Sequence, residues 1–142
     1  MAVYPPPPCP IEDRIALEDL ATAYCNAVDR IGDIDGVLAV FAPDAVYDLT
    51  GFGLGVMEGH AAIRAFYAGA FPTMAGNAHY ASNFALAAFA GDTASASVHV
   101  HAFSKGTDGS LMEVKVRYLM DARRDPGTWR ITRLSLELLL PA

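Results

Sequence analysis

IEDRIALEDLATAYCNAVDRIGDIDGVLAVFAPDAVYDL, residues 11–49, begins as a helix and ends as a strand. Leu17, Leu20, Ala21, Tyr24, Ala27, Val28 and Ile31 recur at steps of three and four, which lays one apolar stripe along a helix from Ile11 to Ile31. Gly32 is placed to stop it. A second, shorter helix is expected over Asp35 to Phe41, ended by Pro43, because proline has no N–H to continue the ladder. Ala45 to Leu49 then reads as a strand, and the Gly51, Gly53, Gly55 cluster as a turn or irregular link.

Further along the chain, Gly59 precedes a third helix over about Ala61 to Phe71, with Ile63, Phe66 and Tyr67 facing inward. After Pro72 the pattern changes. Four segments, near His79–Phe89, Ala94–Ser104, Leu111–Ala122 and Trp129–Leu140, alternate in polarity or are rich in Val, Tyr and Phe, with glycine-containing turns between them. Helices followed by an antiparallel meander is the order of an α+β fold. A strongly curved sheet around the first helix would make a cone whose open end is a pocket. On the N-terminal side, Pro5 to Pro8 form an extended polyproline segment, so residues 1–10 read as an arm and residues 11–142 as one domain.

The bulk numbers bound the function. A chain of 142 residues is one domain in length. With 53% hydrophobic and 18% charged residues it packs a dense interior. A net charge of −6 with scattered basic residues argues against nucleic acid as a partner, since phosphate binding draws on Lys and Arg. Cys9 and Cys25 make neither a disulfide framework nor a metal pattern. No apolar run approaches the ~20 residues that cross a bilayer. The opening MAVYPPPPCP lacks the layout of a secretory signal, so a cytoplasmic protein is expected.

The stretch Ala27-Val28-Asp29-Arg30, Gly32-Asp33, Leu38 and Phe41-Ala42-Pro43-Asp44-Ala45 resembles the opening of the SnoaL-like proteins of the nuclear transport factor 2 superfamily. Gly59-His60-Ala61-Ala62-Ile63-Arg64-Ala65-Phe66 is similar to that family's third helix, and His79-Tyr80-Ala81-Ser82-Asn83 to the strand bearing a base histidine in one branch. That branch contains scytalone dehydratase, hexachlorocyclohexane dehydrochlorinase and bile-acid 7α-dehydratase. The resemblance implies a cone-shaped α+β barrel with three N-terminal helices packed on a curved antiparallel sheet. It also implies a homo-oligomer, trimer or dimer, and a hydrophobic cyclic small molecule as substrate.

By the same resemblance, Asp29 falls on the catalytic aspartate, His79 on the base histidine and Tyr24 on an active-site tyrosine. His101 falls near a second polar pocket residue and Arg133 on an arginine of the dehydrochlorinase. Asp48, Asn83, Arg117 and Trp129 are assigned to substrate binding. Lys115 and Arg117 stand where scytalone dehydratase has small polar groups, which argues against scytalone itself.

These residue types suit elimination. An imidazole accepts a proton near neutrality. A carboxylate on one ring nitrogen fixes the tautomer and stabilises the imidazolium. An arginine and a phenol hydroxyl can stabilise charge on a carbonyl oxygen or leaving group. No cofactor is expected: Gly53-Leu54-Gly55 does not extend to a dinucleotide fingerprint. Nor is a metal, because His99 and His101 lack a third ligand.

The residues taken alone leave other readings. On an ideal helix Asp29 lies about 140° from Tyr24, at the edge of the apolar stripe. His99 and His101 share one side of the sheet, inward or to solvent. Arg133 shares a face with Trp129 and Ile131, or else lies over the sheet surface. Three other functions compete with a dehydratase-like lyase. One is a ketosteroid-isomerase-like enzyme using Tyr24 and Asp48, although Arg117 stands where its second acid belongs. The others are a polyketide cyclase and a non-catalytic domain that holds an apolar ligand.

Overall fold

The computed structural model describes residues 4–141, so the first three residues of the proline-rich arm and Ala142 at the domain's end lie outside the described residues. Three helices, α1 (Ile11–Asp29), α2 (Ile34–Val40) and α3 (Gly59–Ala70), pack on six strands. The strands are β1 (Phe41–Asp48), β2 (Val56–Glu58), β3 (Met74–Phe89), β4 (Thr93–Gly106), β5 (Leu111–Asp125) and β6 (Thr128–Leu138). They run in the order β2-β1-β6-β5-β4-β3 in one sheet, curved but unclosed, which gives the expected cone. No helix among the described residues is long and apolar enough to cross a membrane.

Local chemistry sets the helix ends. The Pro10 carbonyl accepts the Asp13 and Arg14 amides at 3.1 and 3.0 Å, and Glu12 and Asp13 place negative charge at the positive end of α1. Gly32, at φ +97°, takes the left-handed turn that lets the chain leave α1. The Asp33 side chain then accepts the Gly36 amide at 2.9 Å and starts α2.

Three features of the sheet depart from the sequence reading. Phe41 begins β1 rather than ending α2, and the three residues of β2 fall in what reads as irregular link. A strand that short carries no periodicity to detect. β1 also pairs in parallel with β6, which makes the sheet mixed.

The core lies between α1 and the inner face of the sheet. Leu17, Leu20, Tyr24 and Val28 of α1 are buried, facing Val98, Val100 and Ala102 of β4 and Val116, Tyr118 and Met120 of β5. Several bulges break the strand alternation, and two of them bear on the site. Ser82 pairs with His99 but Ala85 with Ser97; Asp121 pairs with Arg133 but Ala122 with Ile131, so Thr132 is one residue extra on β6. A single inserted residue moves every later side chain to the other face.

Candidate active site

At the C-terminal end of α1 the cone opens into a cavity of about 120 Å³. Its walls are mostly apolar: Val28, Leu49, Phe52, Leu54, Phe66, Met74, Ala102, Met112 and Val114. Two polar groupings interrupt them. One is His79 with Asn77 and Ser104; the other is a set of phenols, Tyr24, Tyr47, Tyr67 and Tyr118.

Asp29 is the last residue of α1 and faces β3 across the helix end. Its Oδ1 lies 2.5 Å from His79 Nδ1, and its Oδ2 accepts the His79 backbone N–H at 3.0 Å. Both carboxylate oxygens therefore hold one residue, by its main chain and its ring. A carboxylate can only accept, so in the neutral ring Nδ1 carries the proton and Nε2 presents the lone pair. The side chains of His79 and Asp29 are 12% and 25% exposed, so the pair is shielded without being sealed. The wheel argument against Asp29 fails because the helix stops there, and its final side chain need not follow the stripe.

The phenols form a hydrogen-bonded group. Tyr24 and Tyr47 touch hydroxyl to hydroxyl, Tyr47 and Tyr67 lie 2.8 Å apart, and Tyr24 and Tyr67 3.4 Å. The Tyr118 ring meets the Tyr24 ring edge-on at 5.6 Å. Burial, first among the causes, pushes all four above the ordinary phenol value; neighbouring phenols raise it by charge and, at Tyr47, Tyr67 and Tyr118, partly offset it by hydrogen bonding. They stay protonated near neutrality and act as donors. The same burial raises the Cys25 thiol beneath them to about 12, so it is an inert core group.

Several expected site residues lie elsewhere. Arg133 does not line the cavity: the Thr132 bulge puts it on the outer face, where its Nη2 donates to Asp48 Oδ2 at 2.7 Å. Asp48 alternates with the buried Tyr47 and so points outward. The Thr50 hydroxyl and amide, with Arg133 beyond them, hold its carboxyl below the usual range. The isomerase alternative thereby loses its aspartate.

His101 also lies outside. Val98, Val100 and Ala102 take the inner face, and His101 Nε2 meets Glu113 at 2.5 Å on the outer one. His99 and Lys115 share that outer parity, and Arg117, which does too, donates to Glu137 at 2.7 Å. Asn83 is the residue of the β3 bulge, with φ +57° and an exposed side chain. It sits four residues past His79, roughly 13 Å along the strand. Trp129 is buried at the closed end, its Nε1 donating to Asp13 Oδ1 at 3.2 Å. Asp13 and Asp29 are about 24 Å apart along α1, so Trp129 is remote from the cavity.

The structure thus brings together Asp29, His79 and Tyr24 of the expected set, and adds Tyr47, Tyr67, Tyr118, Asn77 and Ser104. Asn77 was legible as the residue two before His79 on the same face, had β3 been extended to Met74. Tyr47 and Tyr118 gave no local signal, since an inward tyrosine reads as core. Among the described residues no group of three or more His, Cys, Asp and Glu is placed to hold a metal ion.

Comparison with known proteins gives the same architecture. The family described as the SnoaL-like domain matches residues 10–135. A solved structure from Novosphingobium aromaticivorans, named a candidate aromatic ring hydroxylase, is 46% identical over 94% of each chain, with a TM-score of 0.92. A hexachlorocyclohexane dehydrochlorinase of type 2 aligns at 17% identity and TM-score 0.81, over 92% of this chain and 87% of that one. A candidate scytalone dehydratase from Novosphingobium aromaticivorans aligns at 18% identity and TM-score 0.82, over 92% and 86%. No curated protein matches the chain.

Proposed function

We propose that this chain, which belongs to the SnoaL-like domain family, is a cofactor-independent lyase of dehydratase or dehydrohalogenase type acting on a hydrophobic cyclic small molecule. The observation that carries this reading is the Asp29–His79 hydrogen bond of 2.5 Å in the wall of an apolar cavity. His79 Nε2 takes a proton from the carbon next to an activating carbonyl. The C–H electron pair becomes a carbon–carbon double bond as the leaving group departs with its own bonding pair. Charge that grows on the carbonyl oxygen is met by a phenol O–H of the Tyr24–Tyr47–Tyr67 group. If the leaving group is hydroxide, the proton on His79 returns to it and water leaves.

Two of the relatives, at 17% and 18% identity, have names of eliminating enzymes, which supports the reaction class. The 46% identical structure is named for hydroxylation of an aromatic ring, which supports a ring-shaped occupant and not the elimination. We place the protein in the cytoplasm, where its two free cysteines suit a reducing environment. We read it as a homo-oligomer, dimer or trimer. Supporting that, the sheet leaves large apolar side chains open to solvent, among them Tyr80 at 63% and Leu138 at 42% exposure.

The test is His79→Ala and Asp29→Asn assayed on a panel of cyclic hydroxy-ketones and chloro-ketones, following the absorbance of the new enone. Each substitution is expected to lower the rate by about 10²–10⁴-fold, one by removing the base and the other by turning the tautomer. Full activity in His79→Ala ends the proposal. Ligand binding without turnover in the unaltered protein replaces it with a holding function.

A further inference from the structure

We infer that Asn77 is a positioning residue: it grips the end of α1 from the sheet and so sets how Asp29 meets His79, with Ser104 anchoring the other end of its amide. For its kinetic consequence this rests on the lyase reading above. Asp29 stands in an unfavourable place. A carboxylate at the C-terminal end of a helix opposes the helix dipole, and the last turn of α1 holds no basic residue to offset it. The last four carbonyls of a helix also lack an amide ahead of them, and helix ends fray. An unsupported end of α1 would let the carboxylate drift from the ring it orients.

Asn77 supplies the support. Its Nδ2 donates to the Val28 carbonyl oxygen at 3.3 Å, one of those last four. That carbonyl belongs to the peptide unit leading into Asp29, so the grip falls on the backbone that carries the carboxylate. A carbonyl can only accept, so the amide nitrogen is turned toward α1 and Oδ1 toward β4. There Ser104 Oγ donates to Oδ1 at 2.7 Å. The other Nδ2 hydrogen meets Met74 Sδ at 3.1 Å, a weak acceptor. Asn77 lines the cavity, yet both of its donors are used within the protein. Its bonds shape the wall.

The strand register makes this a two-point attachment. Asn77 stands opposite Ser104 and His79 opposite Ala102, on one inner face of β3 and β4, with the first pair about 7 Å along the strand from the second. β3 therefore holds the end of α1 by a main-chain carbonyl through Asn77, and by the Asp29 carboxylate through the ring and amide of His79. Two points fix the roll of the last turn as well as its distance. Without Asn77 only the bonds of the pair itself remain, and a misplacement of about 1 Å can cost about 10²-fold in rate.

Three substitutions test this. Asn77→Asp is nearly isosteric and exchanges the Nδ2 donor for an acceptor; Ser104→Ala frees the far end of the amide; Ser104→Thr keeps the hydroxyl. Hydrogen exchange of the His79 amide, held by Asp29 Oδ2, reads the pair without any substrate. It should quicken about tenfold in Asn77→Asp and about threefold in Ser104→Ala, and keep its rate in Ser104→Thr. The amide of Val116, fully buried in β5, should keep its rate in all three. In the enone assay Asn77→Asp should lower kcat about 10–100-fold with KM within about twofold. Unaltered His79 exchange in both Asn77→Asp and Ser104→Ala would overturn the inference. So would equal quickening at His79 and Val116, which reports general loosening. If Asn77→Asp does not fold, the contrast of Ser104→Ala with Ser104→Thr decides by the same two amides. Selective quickening at His79 in a protein that forms no enone would end the lyase reading and leave the positioning role standing.

Discussion

Asp29 and Arg133 show how far one side chain can be read from its neighbours in sequence. Both sit at the edge of a pattern. Asp29 reaches His79 in the cavity wall because α1 ends at that residue, and Arg133 misses the cavity because one inserted residue precedes it on β6. Arg133 is half exposed, its side chain 46% accessible, and it pairs with Asp48 on the outer face. Such surface pairs contribute at most about 1 kcal/mol. Arg133→Ala is therefore expected to change elimination rates by less than about threefold, with stability lowered by under about 1 kcal/mol. Parallel kinetics and urea unfolding of that variant check this. A loss comparable to that of His79→Ala would return Arg133 to the chemistry.

At the level of elements, α1 is fastened at both ends by its own carboxylates. Asp29 holds β3 at the open end. At the closed end Asp13, only 8% exposed, accepts from Arg124 at 2.5 Å and from the Trp129 indole at 3.2 Å, and the Arg124 guanidinium lies over that indole at 4.8 Å. Arg124 also reaches Asp92 and the Gly91 carbonyl, so the β3–β4 and β5–β6 turns join the same clamp. Asp13→Ala leaves a buried indole N–H unpaired and should cost about 2 kcal/mol by urea unfolding, while Asp13→Asn, which keeps an acceptor, should cost about half that. Equal losses in the two variants would show that the charge, not the acceptor, holds the clamp. Trp129 thus serves the helix–sheet joint rather than the ligand. The apolar alternation of β6 showed that Trp129 is inward; it could not show at which end of the cone.

Across the whole molecule, four of the six tyrosines converge on one dry region that the chain reaches from α1, β1, α3 and β5. Burial raises each of their pKa values, so the folded chain holds these protons more tightly than the unfolded chain does. Their contribution is complete below the usual phenol value of about 10 and is lost as pH rises above it toward the folded values. Stability should therefore fall steeply above pH ~10, with the phenolate absorbance of the four rising together with the loss of near-ultraviolet dichroism. Ionisation of these phenols while the fold persists would contradict the burial. The sequence by itself determined the helix–helix–strand–helix opening, the meander that follows and the inward stripe of α1, because periods of 3.6 and 2 are local properties of a chain. The resemblance of short motifs pointed to Asp29 and His79 as partners, 50 residues apart. Only the tertiary structure decided that the four phenols meet, that Asn77 turns its oxygen to Ser104, and that His101, Arg117, Asp48 and Arg133 lie outside. Those outcomes depend on bulges and on pairing between distant strands, where one residue more or less reverses a face, and no local period records the shift.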